Sequence, residues 1–331
     1  MSKILSISLF LLYTCHLNAK NVNKLVWPQA PDKARIEFVK IAINPSEFGI
    51  EKGFFSKIFD FIVGEEKISL TSPFGIYAQK QRVYVTDVTS KSVYIFDKSE
   101  DETIIIEGSD NETFLYPVDV VCDLKGKIYI SDSIRGKVYV FNKDGEFIYT
   151  INSKYFKRPV GLALNYKEDK LYIVDAVASQ IHVTTLKGQF LYSIGKNGAA
   201  NGEFNRPTFI SIDSDGNIYI SDSMNHRVQI LDGDGKFIYK FGQLGQNIGS
   251  FANPRGIALD KDNNIYISDT MFNNIQVFNK RGELLMLFGN YGDRIGEFSL
   301  AEDIFILQNG TIYITDANNK RVQIFKLLDI E

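Results

Sequence analysis

The sequence predicts an all-β fold: a six-bladed β-propeller whose last blade is closed by an N-terminal strand, with a short helical segment ahead of the first repeat. Three observations predict it. The string NIYISDS at 217–223 returns as VYVTD ending at Asp87, IYISD at Asp132, LYIVD at Asp175, IYISD at Asp269 and IYITD at Asp316, so that successive aspartates stand 45, 43, 47, 47 and 47 residues apart. An apolar residue precedes a proline by three positions at Leu70/Pro73, Phe114/Pro117, Phe156/Pro159, Phe204/Pro207 and Phe251/Pro254, with Phe298/Ala301 as the sixth copy. Between these marks run four short apolar strands separated by polar turns, at the period of roughly 40 to 50 residues that marks propeller blades.

Taken in chain order, residues 1–19 read as a signal peptide. One lysine precedes an apolar run from Ile4 to Tyr13, enough for secretion and too short to span a bilayer. The expectation is a bacterial exported protein of the periplasm or cell envelope, cleaved after Ala19. The alternative is a lipoprotein signal over 1–14, with Cys15 as the lipidated residue and a lipid anchor or peripheral membrane association as the result; bulky Tyr13 and Thr14 weigh towards simple cleavage.

Residues 20–69 form an N-terminal segment outside the repeats. The sixth repeat ends RVQIFKLLDIE after its third strand, and ARIEFVKIA at 34–42 supplies the missing fourth one. Phe38, Val39, Lys40 and Ile41 lie over Ile238, Tyr239, Lys240 and Phe241, which ties the chain ends together and removes an open sheet edge. Further on, Phe54, Phe55, Ile58, Phe59, Phe61 and Ile62 recur at near-helical spacing, so 53–63 reads as an amphipathic segment packed across the propeller, with membrane or partner docking as the competing use.

Residues 70–331 hold the six blades. NHRVQIL at 225–231 and NKRVQIF at 319–325, with the P-x-G-I and I-Y-I-S-D elements, resemble NHL repeats over about 70–326; DAVASQIHV in the third blade departs most. The resemblance implies a six-bladed propeller. With the entry segment VWPQAPDKARIEF, the chain is similar to exported bacterial NHL-repeat proteins. Some NHL propellers bind RNA, but a net charge of -3 gives no footprint for a nucleic-acid backbone, and export argues the same way. The ubiquitin-ligase activity of some animal relatives resides in a RING domain, which two cysteines cannot build.

The same two cysteines, Cys15 and Cys122, exclude a disulfide scaffold, and Cys122 in VDVVC reads as a packed core thiol. The recurring Asp87, Asp132, Asp175, Asp222, Asp269 and Asp316 read as structural, accepting backbone N–H groups of the following loop. Only His182 and His226 remain beyond the signal, too few for the histidine sets of propeller lyases resembling this fold. DSDGN at 213–217 begins like a calcium loop, yet Ile218 and Met224 stand where such a loop needs Gly and an acid. No catalytic centre, metal ligand set or cofactor is therefore assigned.

Loops DSMNHR and GQLGQNIGSFANP emerge on one face, opposite short turns such as DSDGN and DGDG. That elaborated face carries Arg135, Lys137, His226, Arg227, Asn273, Asn274, Lys320 and Arg321 as candidate contacts for a polar or anionic partner. The expectation is a monomeric, non-catalytic binding or scaffold module for a protein or envelope polysaccharide. The alternative is a propeller hydrolase or lyase with a carboxylate-bound metal in its central channel.

Overall fold

The computed structural model describes residues 25–51 and 68–328. Six antiparallel sheets surround an axis, and their inner strands touch in order round the ring until Ala301–Ile306 of blade 6 meets Pro73–Gln79 of blade 1. Blade 2 shows the unit, with Pro117–Cys122 innermost, then Ile128–Asp132, Lys137–Phe141 and, at the rim, Phe147–Ile151. Its inner strands are near-continuous Val, Ile and Tyr because neighbouring blades cover both faces. The rim strand is fully buried only at Ile151, as expected of an edge that meets water. No α-helix occurs among the described residues; the segment 53–63 and the signal with Cys15 lie outside them.

Ile36–Ala42 pairs with Arg321–Leu327 as the fourth strand of blade 6, and Val26–Trp27 adds a fifth. The register differs from the expected one by a residue. Ala42 faces Val322 and Phe38 faces Phe325, whereas in blade 4 Phe241 faces Val228 and Phe237 faces Leu231. Phe38 is thus the counterpart of Phe237, and Ala42 of Phe241. Matching Lys40 to Lys240 by residue type concealed the slip, which exchanges the two faces of a strand. Trp27 then lies against Phe288 and Phe325, with ring centroids 5.6 and 5.7 Å away, and covers the seam between blades 5 and 6.

The residue before each repeat aspartate joins blade to blade. Ser131 Oγ accepts the N–H of Asp119 in its own blade and donates to the Val160 carbonyl of the next. Thr86 and Ser268 repeat this with Gly75/Val118 and Gly256/Glu302. Thr315 accepts from Asp303 and donates to Phe74, which carries the pattern across the closure of the ring. Blade 3 has Val174 there and uses a direct Gly161 to Thr208 backbone bond; in blade 4 the buried Ser221 Oγ has no partner.

Candidate functional site

All six repeat aspartates are fully buried. Asp132 is representative: Oδ1 accepts the N–H groups of Ile134 and Arg135 in the loop that follows, and Oδ2 accepts that of Leu115 at the blade entrance. Asp87, Asp175 and Asp269 bind the same two loops. Asp222 and Asp316 instead take the N–H groups of Asn205 and Ser299 and the side-chain amides of Asn225 and Asn319. Four residues after the aspartate the backbone turns left-handed in every blade, at Lys91, Gly136, Ser179, His226, Asn273 and Lys320. His226 occupies this turn position, and its Nδ1 lies 2.9 Å from the Ala252 carbonyl.

The fold consumes most of the charged and amide residues expected to face a partner. Arg227 and Arg321 are buried, which corrects their reading as surface contacts. Arg227 places Nε 2.8 Å from Asp222 Oδ2 and donates through Nη1 to Ala199 and through Nη2 to Ala200 and Glu203 carbonyls. Arg321 does the same with Asp316, Asp293, Arg294 and Glu297. These guanidinium groups hold the long loops from beneath, because carbonyls that converge in a dry site need donors. Arg135 and Lys137 both pair with Glu112, holding its carboxyl below its ordinary range through the Lys137 and Tyr139 hydrogen bonds. Asn273 accepts the Leu300 N–H, Asn274 is half-buried, and Lys320 is exposed. His182 stands where blades 4 to 6 place Gln229, Gln276 and Gln323; it is buried against Phe156 with Nδ1 2.8 Å from Ser193 Oγ.

The long-loop face also exposes large apolar side chains. Two residues after the repeat aspartate, blades 2 to 5 present Ile134, Val177, Met224 and Met271, all exposed, where blades 1 and 6 have Thr89 and Asn318. The connecting loops add Leu244, Ile248, Tyr291 and Ile295.

Sequence reasoning missed a second feature, on the axis. Two positions after each blade-opening proline or its equivalent stand Gly75, Asp119, Gly161, Phe209, Gly256 and Asp303. The glycines are required by close approach: a Cβ on Gly75 would lie 2.4 Å from the Val118 carbonyl oxygen, and one on Gly161 2.5 Å from that of Thr208. The alternate blades send Asp119, Phe209 and Asp303 into a cavity of about 640 Å³. It runs from this level past Ile76, Leu162, Ile257 and Ile304 to the short turns bearing Lys80, Leu124 and Asn309, so it opens opposite the long loops. On the long-loop side, Phe74 packs against Phe209 and under the Arg255 guanidinium, which is 2.8 Å from Glu302, and these close the axis.

Asp119 accepts the N–H groups of Val120 and Leu162, and Asp303 those of Ile304 and Ile76, so each carboxyl joins its own blade to the next. Burial pushes Asp119 up to about 7, while burial and the Asp119 charge push Asp303 well above the usual carboxylate range. Aligning the six copies on their prolines would have revealed these acids as departures from glycine. Among the described residues no group of three or more His, Cys, Asp or Glu converges to hold a metal. Cys122 is buried, and burial raises its thiol pKa, which makes it a poor nucleophile.

A family model described as a 6-bladed beta-propeller matches residues 103–154, 162–228 and 213–275, together half of the chain. The chain belongs to this 6-bladed beta-propeller family. The NHL repeat model matches 298–325, within the sixth blade of the propeller. No curated protein sequence matches it. Among solved structures, a protein of unknown function from Bacteroides thetaiotaomicron is 18% identical, with a TM-score of 0.64 over 89% of this chain and 76% of that one. An auxiliary nutrient binding protein from the same organism is 12% identical, TM-score 0.63, over 79% and 71%. A streptogramin B lyase is 14% identical, TM-score 0.59, over 78% and 94%. Likeness at this level is one of fold, which hosts many functions.

Proposed function

We propose that this propeller is an exported, non-catalytic binding module of the bacterial envelope that docks a protein through its long-loop face. The exposed Ile134, Val177, Met224 and Met271 at one position of four successive blades carry this reading. Large apolar side chains exposed repeatedly on one face mark contact sites, and methionine adapts to varied partners. The apolar character favours a protein over an envelope polysaccharide. One fold neighbour is a nutrient binding protein, which supports a binding role on this scaffold. Secretion, with cleavage after Ala19 or anchoring through Cys15, belongs to the same proposal and is read out by labelled-lipid incorporation into wild type and Cys15→Ser.

The test is crosslinking and affinity capture from envelope extract with wild type and the variant Met224→Glu/Met271→Glu. These side chains are exposed, so the variant folds. A partner captured by wild type and lost from the variant is expected; equal capture of every partner by both would overturn the choice of face. The hydrolase or lyase alternative draws on Asp119 and Asp303, and stoichiometric metal in purified protein by elemental analysis would favour it.

A further inference from the structure

The channel cavity contains two buried acids with no cation beside them. The partners of Asp119 and Asp303 are backbone N–H groups, and each carboxyl keeps lone pairs directed at unfilled space. Their capping role does not require charge. At the counterparts of Ile76 and Leu162 in blades 4 and 5, Ile210 and Ile257, the preceding blade offers Gly161 and Phe209 in place of an acid, and the blades still close. Buried acids held near each other are expensive in an apolar site and are characteristic of places where a ligand or reaction uses them.

Above the acids the walls are aliphatic, from Ile76, Leu162, Ile257 and Ile304, and the mouth is mixed, with Gln79, Lys80, Leu124, Gln308 and Asn309; its one cation among the described residues, Lys80, lies at the outer turn and not beside the acids. A volume of about 640 Å³ lies within the usual range for small-molecule sites. We propose that this cavity binds a primary amine, an ammonium group on a slender aliphatic body, with the ammonium directed at Asp119 and Asp303. A compact cation with three donors matches the free carboxylate lone pairs, and the apolar stem matches the walls. Two carboxyls without a third ligand suit an ammonium better than a resident metal. The site lies on the face opposite the protein-docking surface and stands or falls independently of it.

Titration calorimetry of the intact propeller with n-hexylammonium, 1-hexanol and calcium chloride tests the proposal. Saturable one-to-one binding of n-hexylammonium is expected, at least tenfold tighter than 1-hexanol and strengthening from pH 6 to pH 8 as the acids ionise. Asp119→Asn/Asp303→Asn removes both charges while keeping one of the two N–H acceptors on each side chain, and should weaken the amine at least tenfold while leaving hexanol unchanged. Ala258→Phe, which fills the cavity from its wall, should abolish binding of both and covers the case in which the double variant does not fold. Equal affinity for hexanol and amine, absence of saturable amine binding, tighter binding of calcium than of the amine, or an unchanged amine affinity in a folded Asn variant would each overturn it.

Discussion

At Lys320 an exposed L-residue is held at φ 56°, in the left-handed turn that every blade uses after its aspartate. Blade 2 meets the same demand with Gly136. Because Cβ crowds the carbonyl there, Lys320→Gly should raise stability by about 0.5–1 kcal/mol after the entropic cost of glycine is subtracted. Urea unfolding reads the change, and an unchanged or lower midpoint would count against strain at this turn. The Ser/Thr positions offer a paired test. Ser131→Ala strands a buried N–H and a buried carbonyl and should cost about 1–3 kcal/mol, whereas Ser221→Ala should be neutral, since its Oγ has no partner. Equal losses at both sites would show that the link between blades contributes nothing. The sequence announced these residues because they recur. It did not announce that Arg227 and Arg321 are internal: an arginine in a loop ordinarily reads as solvated, and only the folded loop brings the carbonyls to its guanidinium.

At the scale of elements, the N-terminal strand is the one long-range closure visible in the chain before folding. Its existence was legible because the sixth repeat stops one strand short. Its register was not, because Lys40 aligns with Lys240 by residue type although it stands where blade 4 has Tyr239; the bulge between Phe38 and Lys40 is shared with blade 4 and does not mark the slip. Deleting residues 25–42 leaves Arg321–Leu327 as an open edge and uncovers Phe288 and Phe325. The deleted form should unfold at markedly lower urea and elute as oligomers by size exclusion with light scattering. A monomer with an unchanged midpoint would show that closure is dispensable.

For the whole molecule, the axial acids make a pH prediction. An unfolded aspartate titrates near pH 4, and Asp119 is raised to about 7 in the fold with Asp303 also raised. Between about pH 4 and 7 the native state therefore binds more protons than the unfolded one, so this pair's contribution to stability is present in full below that window and is lost as pH rises through it. The urea midpoint should be lower at pH 8 than at pH 5, and Asp119→Asn/Asp303→Asn should flatten the difference. A midpoint that rises from pH 5 to pH 8 equally in both proteins would refute the assignment. An amine ligand would restore the loss at pH 8, because it binds the ionised form.

By itself the sequence determined the number of blades, their strand order, the aspartate that fastens each loop and the need for a closing strand. The first three are local hydrogen-bonding or packing demands repeated six times, so repetition made them audible, and the closing strand showed as the one place where the repetition stops short. The tertiary structure alone decided which face exposes large apolar side chains, which charges are internal, and that Asp119 and Asp303, some 184 residues apart in the chain, share one cavity. Those properties arise from residues of different blades converging on the axis or on a loop, and a position within a strand carries no record of what ring closure will set beside it.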